Sequence, residues 1–243
     1  MCTLGAISGS YLFKTRDLWT ESGQREEIVF SRGRYHYVGV RGYASPLEWG
    51  LNSGVNEKGL AVAITFVDSV PLAEALAYKT PRGVLVEELL RTCADLTSAL
   101  RVTTDFLIKP LVGGTIVVVS PEGGFVVEQI HPRFAVEFIT EQVTVRTNHF
   151  LNLRLNVTPL GDQNSSVSRY NRMKSLLGDG SGTELQNIQA ALADHQSPYP
   201  VCSHSGELRT VSGAIYDLRM ATLYHAAGSP CNTEWLKYQA GSP

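Results

Sequence analysis

The 243-residue sequence has little cysteine, and the cysteines it has are scattered. They are Cys2, Cys93, Cys202 and Cys231, which form no C-x-x-C pair and have no histidine at the usual spacing of zinc ligands. Such spacing argues against a disulfide framework and against a zinc site. Cys93 falls on a helical pattern, where a buried thiol usually behaves as a small hydrophobic residue. We therefore expect no metal and no cofactor.

Charge and long apolar runs are also scarce. The net charge is −2 and the pI is near 6.3, so the sequence has no basic footprint for nucleic acid. No apolar run approaches the length of a membrane span, and no charged N-terminal segment precedes an apolar stretch. We expect a cytoplasmic protein that binds neither nucleic acid nor membrane. Homo-oligomerisation stays open.

The chain is long enough for a full hydrophobic core. Of its residues, 43% are hydrophobic, and no internal repeat, low-complexity tract or linker divides it. The length alone suits one large domain or two small ones. In the absence of a linker we expect one domain over 2–243, with Met1 removed.

Apolar runs between turn residues predict ten strands. They lie at 2–7, 10–14, 35–40, 60–67, 115–119, 125–130, 134–138, 143–147, 210–216 and 221–225. After the second strand, 14–17 is predicted as a turn that carries charges back beside Cys2, and 50–59 is predicted as a turn-rich segment. Short Gly/Pro connections favour antiparallel neighbours.

Helices are predicted after residue 80, from about residue 98, at 166–177 and at 184–194. Thr80 and Pro81 suit an N-cap and a first helical turn, and Thr183 with Gln186 matches a capping box. Strands at both ends with helices between them predict an α+β layered fold. Two sheets packed face to face would bring residues 2, 65 and 148 together.

Cys2 stands directly behind Met1 at the start of the first predicted strand. If Met1 is removed, Cys2 carries both a thiol, with a reference pKa of about 8.5, and a free α-amine, with a pKa of about 7.7–8.0. A neutral amine beside the thiol can take its proton, which makes one residue both nucleophile and base. A cysteine at position 2 also occurs without any function, so the rest of the chain has to decide.

Several short segments together resemble the N-terminal-nucleophile (Ntn) hydrolases. They are Met1-Cys2-Thr3, Lys14–Asp17, Gly54–Leu60, Thr147–Phe150 and Ser165–Tyr170, in the order that this superfamily shows. Within it the chain is similar to the linear-amide hydrolases, which include choloylglycine hydrolase, acid-ceramidase-type amidases and the isopenicillin-N acyltransferase family. The segment 223–231 looks most like the acyltransferase branch. The resemblance implies a four-layer αββα sandwich of two mainly antiparallel sheets between helical layers.

The resemblance also implies residue roles. Asn148 would donate its side-chain amide to the oxyanion, Asp17 would hold the α-amine and thiol, and Arg169 would favour the thiolate. Arg16 would pair with Asp17 or meet substrate. Thr65 lies near the place of an oxyanion Asn in choloylglycine hydrolases, where backbone N–H groups could serve instead.

Each of these residues also has a structural interpretation. Asp17 with Arg16 would be a surface turn pair worth about 0–1 kcal/mol. Asn148 would be a turn residue, and Arg169 would lie on a solvated helix face. His149 is taken as structural, because a nucleophile with its own amine needs no histidine.

Taken together, the residues predict a cysteine Ntn amidohydrolase that cleaves a small non-peptide amide through an acyl-Cys2 thioester. The first alternative is an acyltransferase that passes the acyl group from a thioester or amide donor to an amine. The second is a non-catalytic relative that binds a small molecule, which a retained Met1 would favour.

Overall fold

A computed structural model describes most of the chain. The described residues are 2–19, 26–42, 49–68, 78, 80–154, 163–196, 198–204 and 208–241. The predicted strand at 2–7 and the predicted helix at 166–177 fall within these ranges, whereas 155–162 lies outside them.

Thirteen strands within the described ranges form two sheets, and every strand pair in them is antiparallel. The first sheet has the order β10-β1-β2-β11-β12-β13, with β1 Leu4–Ile7, β2 Tyr11–Trp19, β10 Val143–Arg146, β11 Leu208–Asp217, β12 Thr222–Ala226 and β13 Trp235–Gln239. The second runs in chain order from β3 to β9, with β3 Glu26–Arg32, β4 His36–Gly42, β5 Leu51–Asn56, β6 Ala61–Thr65, β7 Gly114–Ser120, β8 Gly123–Ile130 and β9 Arg133–Phe138.

Four helices in the described part of the chain cover the outer faces of the sheets. They are α1 Arg82–Thr92, α2 Leu96–Leu107, α3 Gln163–Leu177 and α4 Leu185–Leu192. The apolar sides of α1 and α2 pack on the second sheet, and those of α3 and α4 on the first. A third apolar layer fills the space between the sheets. This is the predicted four-layer αββα arrangement. None of the described helices combines the length and the apolar character needed to cross a bilayer.

Polar bonds join the two sheets across their apolar layer. Lys14 of β2 donates to the Ile64 carbonyl of β6 at 2.8 Å, and Tyr216 of β11 donates to Ser53 of β5 at 2.7 Å. All four residues are buried. Because hydrogen bonds are directional and apolar contact is not, these bonds fix how the sheets face each other.

Two predicted turns are strands in the structure. Residues 14–17 lie inside β2, and 51–56 form β5 between β4 and β6. The polar residues that suggested turns are satisfied by ladder bonds and by buried partners. Asn56, for example, donates to the Leu90 and Cys93 carbonyls at 3.0 and 2.7 Å, and the chain reverses only after it.

Two predicted helix caps were misplaced. Thr80 exchanges backbone bonds with Pro110 and Val112, so it belongs to a strand-like contact, and Pro81 takes the N-cap position of α1. At α4 the N-cap is Glu184 rather than Thr183, and the side chain of Asn187 accepts its N–H at 3.0 Å. In both cases the N-cap lies one residue later than predicted. Tertiary contacts decide the helix start at this level of detail.

The sequence also missed two edge strands, β3 and β13. Exposed and half-buried residues make up each of them, so neither shows a clean apolar alternation. Pairing with β4 and β12 is what orders them.

Candidate active site

The chain start is fixed against β2 by two hydrogen bonds. The Thr15 N–H donates to the Thr3 carbonyl at 2.8 Å, and the Thr3 N–H donates to the Thr15 hydroxyl at 3.0 Å. Leu4 packs in the layer between the sheets. Cys2 directly precedes this ordered start of the chain.

Asn148 follows β10 and connects both sheets at this point. Its Oδ1 accepts the Cys2 N–H at 3.0 Å, while its Nδ2 donates to Thr65 Oγ1 at 3.2 Å and to the Phe66 carbonyl at 2.8 Å. The side chain is 1% exposed. The predicted meeting of residues 2, 65 and 148 is therefore present in the structure.

The same bonds bear on the oxyanion role expected for Asn148. A side-chain amide has two N–H donors, and the two bonds to Thr65 and Phe66 employ both of them. To stabilise an oxyanion, Nδ2 would have to exchange one of these acceptors for the substrate oxygen. That role stays a prediction.

Arg169 reaches the site from α3. Its Nη1 donates to the Cys2 carbonyl and to Thr3 Oγ1, each at 3.0 Å, and its Nη2 donates to Asn148 Oδ1 at 2.8 Å. The residue is 2% exposed, so the solvated helix face considered from the sequence is wrong. Arg169 thus contacts the Cys2 backbone, and its expected effect on the thiolate stays a prediction.

Ser166, on the same helix, holds the backbone of Asn148. Its Oγ accepts the Asn148 N–H at 2.8 Å and donates to Thr147 Oγ1 at 2.9 Å, and it lies 2.8 Å from His149 Nδ1. Burial lowers the pKa of His149, and Arg169 acts in the same direction. A neutral His149 bonded in this way supports the turn, as expected of a structural residue.

Glu128 on β8 holds the segment that follows Asn148. Its carboxylate accepts the backbone N–H groups of Leu151, Asn152 and Leu153, each at 2.8 Å, and its Oε1 lies 3.7 Å from Arg146 Nε. No sequence signal pointed to this role, since Glu128 looks like an ordinary polar residue in a strand.

Asp17 and Arg16 are both buried in β2, at 6% and 3% exposure, so the surface-pair interpretation is wrong. They bond to different partners. Asp17 Oδ1 accepts from Thr210 Oγ1 at 2.7 Å, and Arg16 Nη1 donates to Glu26 Oε1 at 3.1 Å. Continuing the Leu4–Lys14 register places Arg16 across from Cys2 and Asp17 one residue beyond it.

Glu26 is the centre of a buried charge cluster between the sheets. It binds Arg16 through Oε1, and its Oε2 lies 3.1 Å from His225 Nε2. Burial acts to raise the pKa of Glu26, but the His225 hydrogen bond and the positive charges of Arg16 and His225 outweigh it and lower the pKa to about 2. Glu26 is thus ionised and neutralises Arg16. No motif in the sequence pointed to it.

Asp68 is a further acid that the sequence did not single out. Its backbone N–H donates to the Asn148 carbonyl at 3.1 Å. Burial raises the pKa of its carboxyl group, and facing positive charge, including Arg169, opposes the rise. The only sequence signal was its position shortly after Thr65.

A second group of reactive side chains lies elsewhere, on the loops around α4 and β12. His195, Cys202, His204 and Cys231 direct one ligand atom each to a common place, and these four atoms lie within 4.8 Å of one another. The spacing argument against zinc therefore does not hold for Cys202 and Cys231. The available signal was the Cys202-x-His204 pair, whose partners the fold supplies from distant positions.

Residues 6–232 match the family model described as acyl-coenzyme A:6-aminopenicillanic acid acyl-transferase. The chain belongs to this acyl-transferase family. The matched range starts after Cys2 and includes Asn148 and Arg169. No curated protein sequence matches the chain significantly.

Solved structures of Ntn-hydrolase type share the fold of this acyl-transferase family member. Penicillin V acylase from Agrobacterium tumefaciens aligns with a TM-score of 0.63 and 15% identity over 98% of this chain and 86% of that chain. A mutant of the conjugated bile acid hydrolase from Clostridium perfringens aligns with 0.62 and 12% over 99% and 97%. A Caenorhabditis elegans orthologue of N-acylethanolamine-hydrolyzing acid amidase aligns with 0.60 and 13% over 89% and 92%.

The family and the fold agree with each other. At identities this low the structural comparisons show the fold alone. The shared fold confirms the predicted αββα sandwich. Family membership makes the protein an enzyme of the class that hydrolyses linear amides or transfers acyl groups.

Proposed function

We propose that this protein is a cysteine Ntn amidohydrolase that cleaves a small non-peptide amide through an acyl-Cys2 thioester. The observation that carries the proposal is the bond from the Cys2 nitrogen to Asn148 Oδ1 at 3.0 Å, with Arg169 bound to the same oxygen. This arrangement holds the nitrogen that becomes an α-amine once Met1 is removed.

The Cys2 amine is the base in the proposed mechanism. Held by Asn148 Oδ1, the neutral amine keeps its lone pair for the thiol proton, and the cation of Arg169 favours the resulting thiolate. Cys93 differs, because burial raises the pKa of its thiol and keeps it protonated. Cys2 is half-buried, and its backbone lies against Asn148 and Arg169.

Acylation and deacylation follow with balanced proton transfers. The thiolate attacks the amide carbon, a C–S bond forms, and the carbonyl oxygen becomes an oxyanion that Asn148 Nδ2 stabilises after releasing Thr65 or Phe66. The C–N bond then breaks as the Cys2 ammonium gives its proton to the leaving amine. Water attacks the thioester with the amine again as base, which releases the acid and restores Cys2.

Arg16 and Thr65 are proposed to line the substrate site. Arg16 lies across from Cys2 in the strand register, but its charge is balanced by Glu26 at 3.1 Å, which suits a polar neutral group better than an anion. Thr65 Oγ1 donates to the Phe66 carbonyl at 3.2 Å and accepts from Asn148, so it orients the amide that meets the substrate. Asp17 is proposed to act on the amine from β2.

Acyl transfer is the second candidate, and the matched family model favours it. Both reactions share the acyl-Cys2 thioester and differ in whether water or a bound amine reaches it. A transferase needs a second pocket that positions an amine and limits water. With few long loops in the sequence to build one, hydrolysis remains the proposed reaction.

One domain over 2–243 and a cytoplasmic location also stay proposals.

The decay of the acyl-enzyme distinguishes the two reactions. The protein is acylated with a short-chain thioester, and its intact mass is followed with and without a panel of primary amines. Loss of the acyl group in water at the turnover rate, unaffected by amines, supports hydrolysis. A stable acyl-enzyme that only an amine discharges would establish acyl transfer instead.

Cys2→Ala provides the matched test of the nucleophile, with Cys93→Ala as control. The first variant is expected to take up no acyl group and to lose turnover, while the second behaves as wild type. The wild-type mass should be lower than that of the full sequence by one methionine. An active protein that retains Met1 would overturn the single-residue mechanism.

A further inference from the structure

Four side chains of two residue types converge on one point away from Cys2. They are His195 after α4, Cys202 and His204 before β11, and Cys231 between β12 and β13. His204 Nε2 lies 2.8 Å from His195 Nε2, 3.0 Å from Cys231 Sγ and 3.6 Å from Cys202 Sγ.

Hydrogen bonding alone does not account for these contacts. The Nε2 of an imidazole has either one N–H or one lone pair, so His204 Nε2 can serve one close partner rather than three. His195 presents a second ring nitrogen to the same place. Four donor atoms directed at one centre are what a shared cation requires.

We propose that His195, Cys202, His204 and Cys231 bind a structural zinc ion. Two cysteines and two histidines are a common ligand set for tetrahedral Zn²⁺, with bond lengths of about 2.3 Å to sulfur and about 2.0–2.1 Å to nitrogen. Ligand atoms of such a site lie about 3.3–3.8 Å apart. The three distances from His204 Nε2 are 2.8–3.6 Å and all four ligand atoms lie within 4.8 Å of one another, so small side-chain movements produce this geometry.

The ligand set makes the site structural rather than catalytic. Four protein ligands complete the tetrahedron and leave no position for water or substrate. Two thiolates also neutralise the charge of the ion, so that the site carries no net charge although Cys202 is buried. The ion would cross-link the segment that carries His195, Cys202 and His204 to Cys231, which lies 27 residues beyond His204.

One of these segments leads to Asp17. Ser203, between the ligands Cys202 and His204, donates its N–H to Thr210 Oγ1 at 2.9 Å, and that hydroxyl donates to Asp17 Oδ1 at 2.7 Å. The zinc site would therefore stabilise the Thr210–Asp17 contact between β11 and β2. It would not touch the reacting atoms at Cys2.

A disulfide between Cys202 and Cys231 is the rival arrangement. The structure describes both cysteines as free, and the two histidines would then have no common partner. Intact mass and thiol titration under denaturing conditions separate the cases, since an oxidised pair lowers the mass by two hydrogens and removes two reactive thiols.

The first test is metal content. The protein is expressed with added zinc, purified without chelator and measured by plasma mass spectrometry. About one zinc per chain is expected. Cys231→Ala should lower the content about tenfold or more, whereas the matched variant Cys93→Ala should keep it. A metal-free wild type, a Cys202–Cys231 disulfide or full zinc content in Cys231→Ala would overturn the proposal.

A second test uses only the wild-type protein, so it does not depend on whether a variant of a ligand residue folds. Wild-type protein reconstituted with Co²⁺ should give the intense visible bands of a tetrahedral site and a thiolate-to-cobalt charge-transfer band. Removing the metal with a chelator should lower the Tm by about 4 °C or more, and zinc should restore it. An octahedral cobalt spectrum, or a Tm unchanged by chelation and zinc, would contradict a structural Cys₂His₂ site.

Discussion

The guanidinium of Arg169 donates to Oδ1 of Asn148 at 2.8 Å, and this bond decides which way the Asn148 amide faces. A guanidinium has no acceptor, so the amide oxygen rather than the nitrogen must point to it. The same oxygen accepts from Cys2, and the nitrogen is left for Thr65 and Phe66. Arg169 thereby positions the acceptor for the amine and the donor for the oxyanion in one step.

Replacing Asn148 tests the oxyanion role. Asn148→Ala is expected to lower kcat by about 10²–10³ with a smaller effect on KM, as loss of one oxyanion donor does. Asn148→Asp keeps an acceptor for Cys2 and Arg169 but has no N–H, so it should lose at least as much activity. Steady-state kinetics measure both variants, with Asn171→Ala on the exposed face of α3 as control.

Two results would contradict that role. A raised KM with unchanged kcat would make Asn148 a substrate-binding residue. Substantial activity in Asn148→Asp would show that holding the amine, rather than donating to the oxyanion, is its main contribution.

Arg169→Lys keeps the charge near Cys2 but not the planar donor set. A lysine cannot reach Cys2, Thr3 and Asn148 in the same geometry, and one lost charge-assisted hydrogen bond is worth about 1.5–3 kcal/mol. We expect kcat to fall about 10-fold or more. Arg172→Lys is the matched control on the same helix, since its partly exposed pair with Asp194 should be worth about 0–1 kcal/mol. Equal kinetics in both variants would deny Arg169 a positioning role.

Asn148 shows which part of the candidate site could be predicted from the sequence. Its motif, together with the strand pattern, predicted that it would meet Cys2 and Thr65, because antiparallel packing of two sheets constrains where strand ends meet. The orientation of its amide could not be predicted, since Arg169 and Phe66 decide it from other elements.

The errors have a common physical cause. Lys14, Arg16 and Asn52 look like turn or surface residues until Glu26 and the facing sheet satisfy them. Cys202 and Cys231 look isolated until loops around α4 and β12 bring them together. In each case a deciding partner lies on another strand or loop of the fold.

Asp17→Asn tests the proposed effect of this carboxylate on Cys2. The variant keeps an acceptor oxygen for Thr210 and removes the charge, so the fold should be retained. If the carboxylate stabilises, by about 1 kcal/mol, the ammonium that forms when the Cys2 amine takes the thiol proton, the rate of thiol alkylation at neutral pH should fall about fivefold in the variant. The rate is measured with iodoacetamide by intact mass, and Asp105→Asn on exposed α2 is the control. An unchanged rate would limit Asp17 to its bond with Thr210.

Acid should destabilise the protein through Glu26. Its pKa is lowered from 4.5 to about 2 in the folded state, so its stabilising effect is present above about pH 4.5 and is lost as the pH falls towards 2. The shift corresponds to about 3 kcal/mol in the free energy of unfolding. Denaturant unfolding at a series of pH values should show this loss.

Matched variants on β3 identify the group responsible. In Glu26→Gln the free energy of unfolding should start lower and depend less on pH between about 4.5 and 2. Glu27→Gln should keep the wild-type dependence of the free energy of unfolding on pH. Glu27 is 52% exposed, and its 3.6 Å ion pair with the partly exposed Arg41 is screened by solvent. The same slope in both variants would place the acid sensitivity elsewhere.

The buried bonds between the sheets have a mechanical consequence. An apolar layer resists separation but offers little resistance to sliding, and a slip of one residue along a strand moves a side chain by about 3.3 Å. Lys14–Ile64, Tyr216–Ser53 and Arg16–Glu26 would each be broken by such a slip. Cys2 is attached to one sheet and Thr65 belongs to the other. By preventing the sheets from sliding, these bonds keep the two halves of the proposed reaction site aligned.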